Sequence, residues 1–153
     1  MKNITKHLLL FVLLFYSVLC FGEHHNYVMR ADAKFVTEMD EQLYLQKVAE
    51  LPSSNNTEWH FKGSRPCIID FYTTWCGPCR RLSPVMESLA EKYNGIIDFY
   101  KVDAEKQASL SFIFQVRSYP TLIFIPTTGI PQKAIGALPA NEIESIISQV
   151  LIK

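Results

Sequence analysis

Cys76 and Cys79, with Gly77 and Pro78 between them, are the residues of this chain whose types and spacing best suit chemistry. They follow the apolar run Ile68-Ile69-Asp70-Phe71-Tyr72 and stand at the head of a helical pattern. A thiol pair at this spacing, where a strand gives way to a helix, can form and break a disulfide reversibly; it can also ligate a metal. A structural zinc site needs four ligands. Here Cys67 falls inside the apolar run, where a small buried hydrophobe is expected, and His60 lies in a loop. The shortage of ligands favours redox use, with no metal and no cofactor.

The elements that must position the pair follow from the pattern around it. Cys67 to Tyr72 is apolar except for Asp70, as expected for a central strand covered on both faces. The helix after Cys76 places Leu82, Val85, Met86, Leu89, Ala90 and Tyr93 on one face; Pro84 should kink it, and Asn94-Gly95 ends it. Ile96 to Val102 reads as the next buried strand, Glu105 to Phe114 as a short helix, and Thr121 to Ile125 as a strand. After a turn at Pro126 to Gly129, Lys133 to Gly136 is its hairpin partner. Ile143, Ile146, Ile147, Val150 and Leu151 mark a final amphipathic helix. Upstream, Phe35 to Met39 is a plausible first strand, and Asp40 caps a helix carrying Leu43, Tyr44, Lys47 and Val48. The stretch Leu51 to Thr57 reads as a loop, with a glycosylation-type acceptor at Asn55-Asn56-Thr57. Trp59 is expected to pack.

Composition bounds the function. At 153 residues and 48% hydrophobic content, the chain supports one domain with a proper core, and its formal charge is zero. Nucleic acid is not an expected partner. The amino terminus has the layout of an export signal: Lys2 and Lys6 precede an apolar run from Leu8 to Leu19, short of the ~20 residues a spanning helix needs. Residues 1–22 are read as a signal peptide, with a lipoprotein-type site at Cys20 or an uncleaved anchor as alternatives. Residues 23–34 form a spacer, and residues 35–153 the domain. With Cys20 in the signal, Cys67, Cys76 and Cys79 remain, which is no disulfide scaffold. An exported, periplasmic or otherwise extracytoplasmic protein with one close pair uses it for chemistry, and contact with a membrane is expected only through an amino-terminal anchor.

Trp75-Cys76-Gly77-Pro78-Cys79 resembles the active-site motif of the thioredoxin family. The resemblance extends from about Val36 to Leu151. Asp70 stands where thioredoxins place a buried aspartate, and Pro84 where their helix kinks. Lys101-Val102-Asp103 resembles the strand whose lysine pairs with that aspartate, Arg117 to Thr121 the loop holding a cis-proline, and Gly136-Ala137-Leu138 the end of the last strand. Tyr72 and Tyr119 depart from the tryptophan and isoleucine that many thioredoxins carry, and the Ser53–Arg65 connection is longer than usual. The resemblance implies an α/β thioredoxin fold, a central mixed β-sheet flanked by helices on both faces.

It also implies roles. Cys76 at a helix amino terminus attacks a substrate disulfide as a thiolate, and Cys79 then resolves the mixed disulfide. Asp70, amid Ile68, Ile69 and Phe71, should have raised proton affinity. By composition alone it reads equally as a satisfied buried polar group; the resemblance makes it the proton acceptor for Cys79, moderated by Lys101. Trp75, Gly77, Pro78, Tyr119, a cis Pro120 and Gly136 would form the surface that receives substrate. The expected partners are protein disulfides and an upstream dithiol electron donor, and a monomer is expected. Three readings follow: a disulfide reductase acting outside the cytoplasm, a net oxidant or isomerase, and a non-catalytic binding module. Gly77-Pro78 favours the first, and the intact pair disfavours the last.

Overall fold

The computed structural model describes residues 34–51 and 59–152. The expected signal, most of the spacer and the Asn55 acceptor lie outside the described residues. The elements run β1 (Thr37–Glu38), α1 (Glu41–Lys47), β2 (Cys67–Tyr72), α2 (Gly77–Lys92), β3 (Asp98–Asp103), α3 (Ala108–Ile113), β4 (Thr121–Ile125), β5 (Gln132–Ile135) and α4 (Ala140–Ile146), the last continuing as a π-helical turn, Ile147–Leu151. The five strands form one mixed sheet in the order β1-β3-β2-β4-β5. β1 and β2 both run parallel to β3, while β4 is antiparallel to β2 and to β5.

Strand side chains alternate between the two faces of a sheet, and here each face has its own core. Ile68, Phe99, Leu122 and Phe124 pack with Leu82, Met86 and Leu89 of α2 and with Ile143, Ile147 and Leu151 at the carboxy terminus. On the other face Cys67, Ile69, Phe71, Val102, Ile123 and Ile125 pack with Tyr44 of α1 and Leu110 of α3. Because β2 is apolar on both faces, it is pinned in the middle of the sheet, and so is the turn that follows it. Trp59 packs edge-on against Phe114, as expected. Cys67 is a free, buried thiol whose proton affinity burial pushes well up.

Local signals set most boundaries. The Asp40 carboxylate accepts the Leu43 N–H at 2.8 Å and caps α1. Gly95, at φ +81, turns the chain out of α2, and the N–H groups of Ile96 and Ile97 are taken by the Tyr93 carbonyl. That turn delays β3 to Asp98, two residues after the start expected from the apolar pattern; Ile96 is left 52% exposed. α3 also begins later than Glu105. The Asp103 carboxylate accepts the Glu105 N–H, and the Asp103 carbonyl accepts those of Lys106 and Gln107, so the intervening residues form a turn. β1 shrinks to two residues, the length over which it meets β3. Glu87 of α2 accepts the backbone N–H groups of Phe35 and Val36 and ties the start of the domain to that helix.

Candidate active site

Cys76 is the N-cap of α2 and Cys79 lies in its first turn, the two joined as a disulfide with Cα atoms 5.3 Å apart. Gly77 and Pro78 open the helix, positions where a missing N–H costs nothing. Cys76 Sγ accepts the Cys79 N–H at 3.1 Å, so the sulfur occupies the place of an N-cap acceptor, where free helical N–H groups favour negative charge. Both cysteines are buried, Cys76 as fully as Cys79.

Behind the disulfide, Asp70 projects from β2 on the α2 side of the sheet, the side that Ile68 faces one alternation earlier. It is 5% exposed, and its Oδ1 has no hydrogen-bond partner among the described residues. Burial pushes the carboxyl up to about 7, and the charge of Lys101 pulls the other way. A cavity of about 150 Å³ is lined by Asp70, Cys79, Ser83, Arg80, Thr73 and Lys101 among others. Thr73 Oγ1 is a second buried atom without a partner among the described residues. Two orphaned polar atoms and this volume suit ordered water.

Lys101 is adjacent to Asp70 in the β2–β3 register. The pairing between them that the resemblance implied is replaced by another: Lys101 Nζ lies 3.2 Å from Glu38 Oε2 and 5.2 Å above the Tyr72 ring. The reason is geometric. Glu38 is equally adjacent to Lys101 from the β1 side, and it is half exposed where Asp70 is buried, so its carboxylate stays charged at less cost in desolvation. The Tyr72 hydroxyl donates to Glu38 Oε1 at 2.8 Å; burial and that bond raise its proton affinity.

The outer surface assembles around Cys76. Trp75 is 65% exposed, its indole N–H donating to Glu105 Oε1 at 3.0 Å and its ring meeting Tyr119 edge-on at 6.1 Å. The Tyr119–Pro120 bond is cis. Gly136, at φ +101, donates its N–H to the Pro120 carbonyl at 2.9 Å, which holds the end of β5 beside the proline loop. A Cβ on Gly77 would meet nothing closer than an Arg80 side-chain nitrogen at 3.8 Å, so packing within the domain does not require glycine there. The structure therefore joins Cys76, Cys79, Asp70, Lys101 and Pro78 at the head of α2, and Trp75, Tyr119, Pro120 and Gly136 in the loops around it. Sequence reasoning missed Glu38 and Glu105. Neither carries a local signal, since each meets its partner only through the tertiary fold. Among the described residues no cluster of three metal-ligating side chains occurs.

The thioredoxin family model matches residues 47–149. The chain belongs to the thioredoxin family. With its cysteine pair intact at the head of α2, it is a thiol–disulfide oxidoreductase. A thioredoxin of Borreliella burgdorferi is 50% identical over 93 residues, covering 61% of this chain and 80% of that one. Thioredoxin M4, chloroplastic, of Arabidopsis thaliana is 30% identical over 107 residues, covering 68% of this chain and 55% of its own. The chain thus spans little more than half the length of several chloroplastic relatives. Among solved structures, chloroplastic thioredoxin z superposes with a TM-score of 0.61 at 26% identity, covering 74% of this chain and 92% of that one.

Proposed function

We propose that this protein reduces disulfides of other proteins outside the cytoplasm and is recharged by a dithiol donor. The observation that carries the reading is the shared cavity between Asp70 and Cys79, behind a disulfide whose first sulfur caps α2. In the reduced protein the Cys76 thiolate attacks one sulfur of a substrate disulfide, forms a mixed disulfide and expels the other substrate sulfur as a thiolate. Asp70, through the cavity, takes the Cys79 proton. The Cys79 thiolate then attacks Cys76 Sγ, closes the Cys76–Cys79 bond and releases the second substrate sulfur, so the substrate gains two electrons and the protein loses two. Asp70 returns its proton to solvent. Lys101 tunes the acceptor, and Trp75, Gly77, Pro78, Tyr119, Pro120 and Gly136 receive an extended segment of substrate.

The apolar run after Lys2 and Lys6 supports export, with residues 1–22 as signal, 23–34 as spacer and 35–153 as the domain. Amino-terminal sequencing of the protein from fractionated host cells tests it: a start near residue 21 to 23 in the extracytoplasmic fraction is expected, and an intact cytoplasmic chain refutes it. The direction of electron flow is tested by the Cys76–Cys79 reduction potential. A value near thioredoxin's own benchmark of about −270 mV is expected, and one near −120 mV would make the protein an oxidant. A disulfide-reduction assay with Cys76→Ser as control rejects the non-catalytic reading if only the parent protein turns over.

A further inference from the structure

Three charged residues stand side by side at one level of the sheet. Glu38 is adjacent to Lys101 across β1 and β3, and Asp70 is adjacent to Lys101 across β3 and β2. With strands about 4.8 Å apart, Lys101 sits midway between two carboxylates whose Cα atoms are roughly 10 Å apart. Its ammonium takes Glu38, at 3.2 Å. The other oxygen of Glu38 accepts the Tyr72 hydroxyl at 2.8 Å, and the Tyr72 ring lies beneath the ammonium, so the three side chains close on one another. Asp70 Oδ1 is left buried with no partner among the described residues.

We propose that Glu38 is a positioning residue for disulfide exchange: with Tyr72 it holds the Lys101 ammonium on the β1 side of the row, which leaves Asp70 without a contact ion pair and able to take the Cys79 proton. This rests on the reading of Asp70 as proton acceptor. A lysine in contact with Asp70 would favour the carboxylate and weaken it as a base near neutral pH. Tyr72, which departs from the family pattern, thereby acquires a role, because its hydroxyl fixes the carboxylate that fixes the lysine. The charged and titratable groups that share the cavity with Asp70 are Lys101 from β3, Tyr72 from its own strand, and Arg80 and Cys79 from α2, while Glu38 from β1 and Asp103 from β3 act on Tyr72 one step further out. Asp103 is itself engaged by Lys106 at 3.2 Å. Arg80 donates to the Thr74 carbonyl at 3.4 Å. Lys101 is thus the cation whose placement Glu38 decides.

The test is a carbon-13 NMR titration of the Asp70 carboxyl in the full-length oxidised protein. In Glu38→Gln the midpoint moves to lower pH by about 0.5–1 unit, because the ammonium is freed toward Asp70. In a Lys101→Met background the same substitution moves it less than about half as far, since only the direct effect of the lost negative charge remains. Tyr72→Phe, which frees one oxygen of Glu38 and keeps the strand apolar, gives a smaller shift of the same sign and serves if Glu38→Gln does not fold. No shift in either variant, or an undiminished shift without Lys101, overturns the assignment. Because the titration reads Asp70 directly, the two failures differ: a shifted midpoint with unaltered exchange kinetics would sink the proton-acceptor reading and with it any part of Glu38 in exchange, whereas an unshifted midpoint would sink the positioning by Glu38 alone.

Discussion

Lys101 is adjacent to Asp70 in the β2–β3 register but gives its ammonium to Glu38. Asp70 is therefore a buried carboxyl whose neighbouring lysine is engaged elsewhere, and desolvation is the largest influence on its titration. A carboxyl pushed up to about 7 is half protonated near neutral pH, so it can both accept and return a proton without a large energetic penalty in either direction.

Asp70 also makes stability depend on pH. Its folded proton affinity is raised from 3.8 to about 7, so between those values the folded state binds more protons than the unfolded chain. The contribution of Asp70 to stability is full below about pH 4 and is lost as pH rises toward 7. Asp70→Asn removes that loss, gaining about 2–4 kcal/mol at pH 8 and little at pH 4. Urea denaturation of the oxidised protein at the two pH values measures it; an equal effect at both would show that Asp70 titrates normally. The same variant should slow exchange by about 100-fold near neutral pH.

The two cysteines should fail differently. Cys76→Ser removes the attacking sulfur and reduces disulfide reduction to background. Cys79→Ser leaves the first attack intact and stalls at the mixed disulfide, so a protein substrate runs as a covalent adduct on non-reducing gels. An adduct with Cys76→Ser instead would exchange the assigned roles.

Two glycines near the disulfide should respond in opposite ways. Gly136 sits at φ +101, where a side chain strains the backbone, and Gly136→Ala should cost about 1–3 kcal/mol in chemical denaturation. Gly77 opens α2 with space around it, and Gly77→Ala should leave stability unchanged or slightly raised. A loss of activity in a stable Gly77→Ala would then report on contact with substrate.

Trp75 spends its exposed ring on the surface rather than in the core, held by Glu105 and Tyr119. Trp75→Ala should change stability by less than about 0.5 kcal/mol while weakening recognition of protein substrates about ten-fold or more. A small dithiol-reactive disulfide, which does not reach the ring, should be reduced at nearly the parent rate. Equal losses with both substrates would place the ring in the chemical step.

Much of this could be read along the chain, for a physical reason. β2 and β4 lie where the apolar runs put them, because a strand buried on both faces declares itself through composition alone. Asp40 and Gly95 mark helix ends through their own side chain or backbone. The pair Cys76/Cys79 is local too. What failed was decided elsewhere: β3 starts late because the end of α2 consumes Ile96 and Ile97, while the final helix is present as expected and only its widening to a π turn, in which Ile152 bonds back to Ile147, went unread. The links of Glu38 to Lys101 and of Trp75 to Glu105 depend on register and loop placement across more than 25 residues, for which no local pattern exists.

The two borders of the sheet carry a consequence of their own. β1 is two residues long and β5 four, and Lys133 of β5 turns its ammonium to the Gln115 carbonyl. Under the proposed function, an extended stretch of substrate backbone received beside Pro120 must leave again once its sulfurs are free. Margins this short offer little free edge for a further strand to pair along, which would keep such an encounter from growing into a shared sheet.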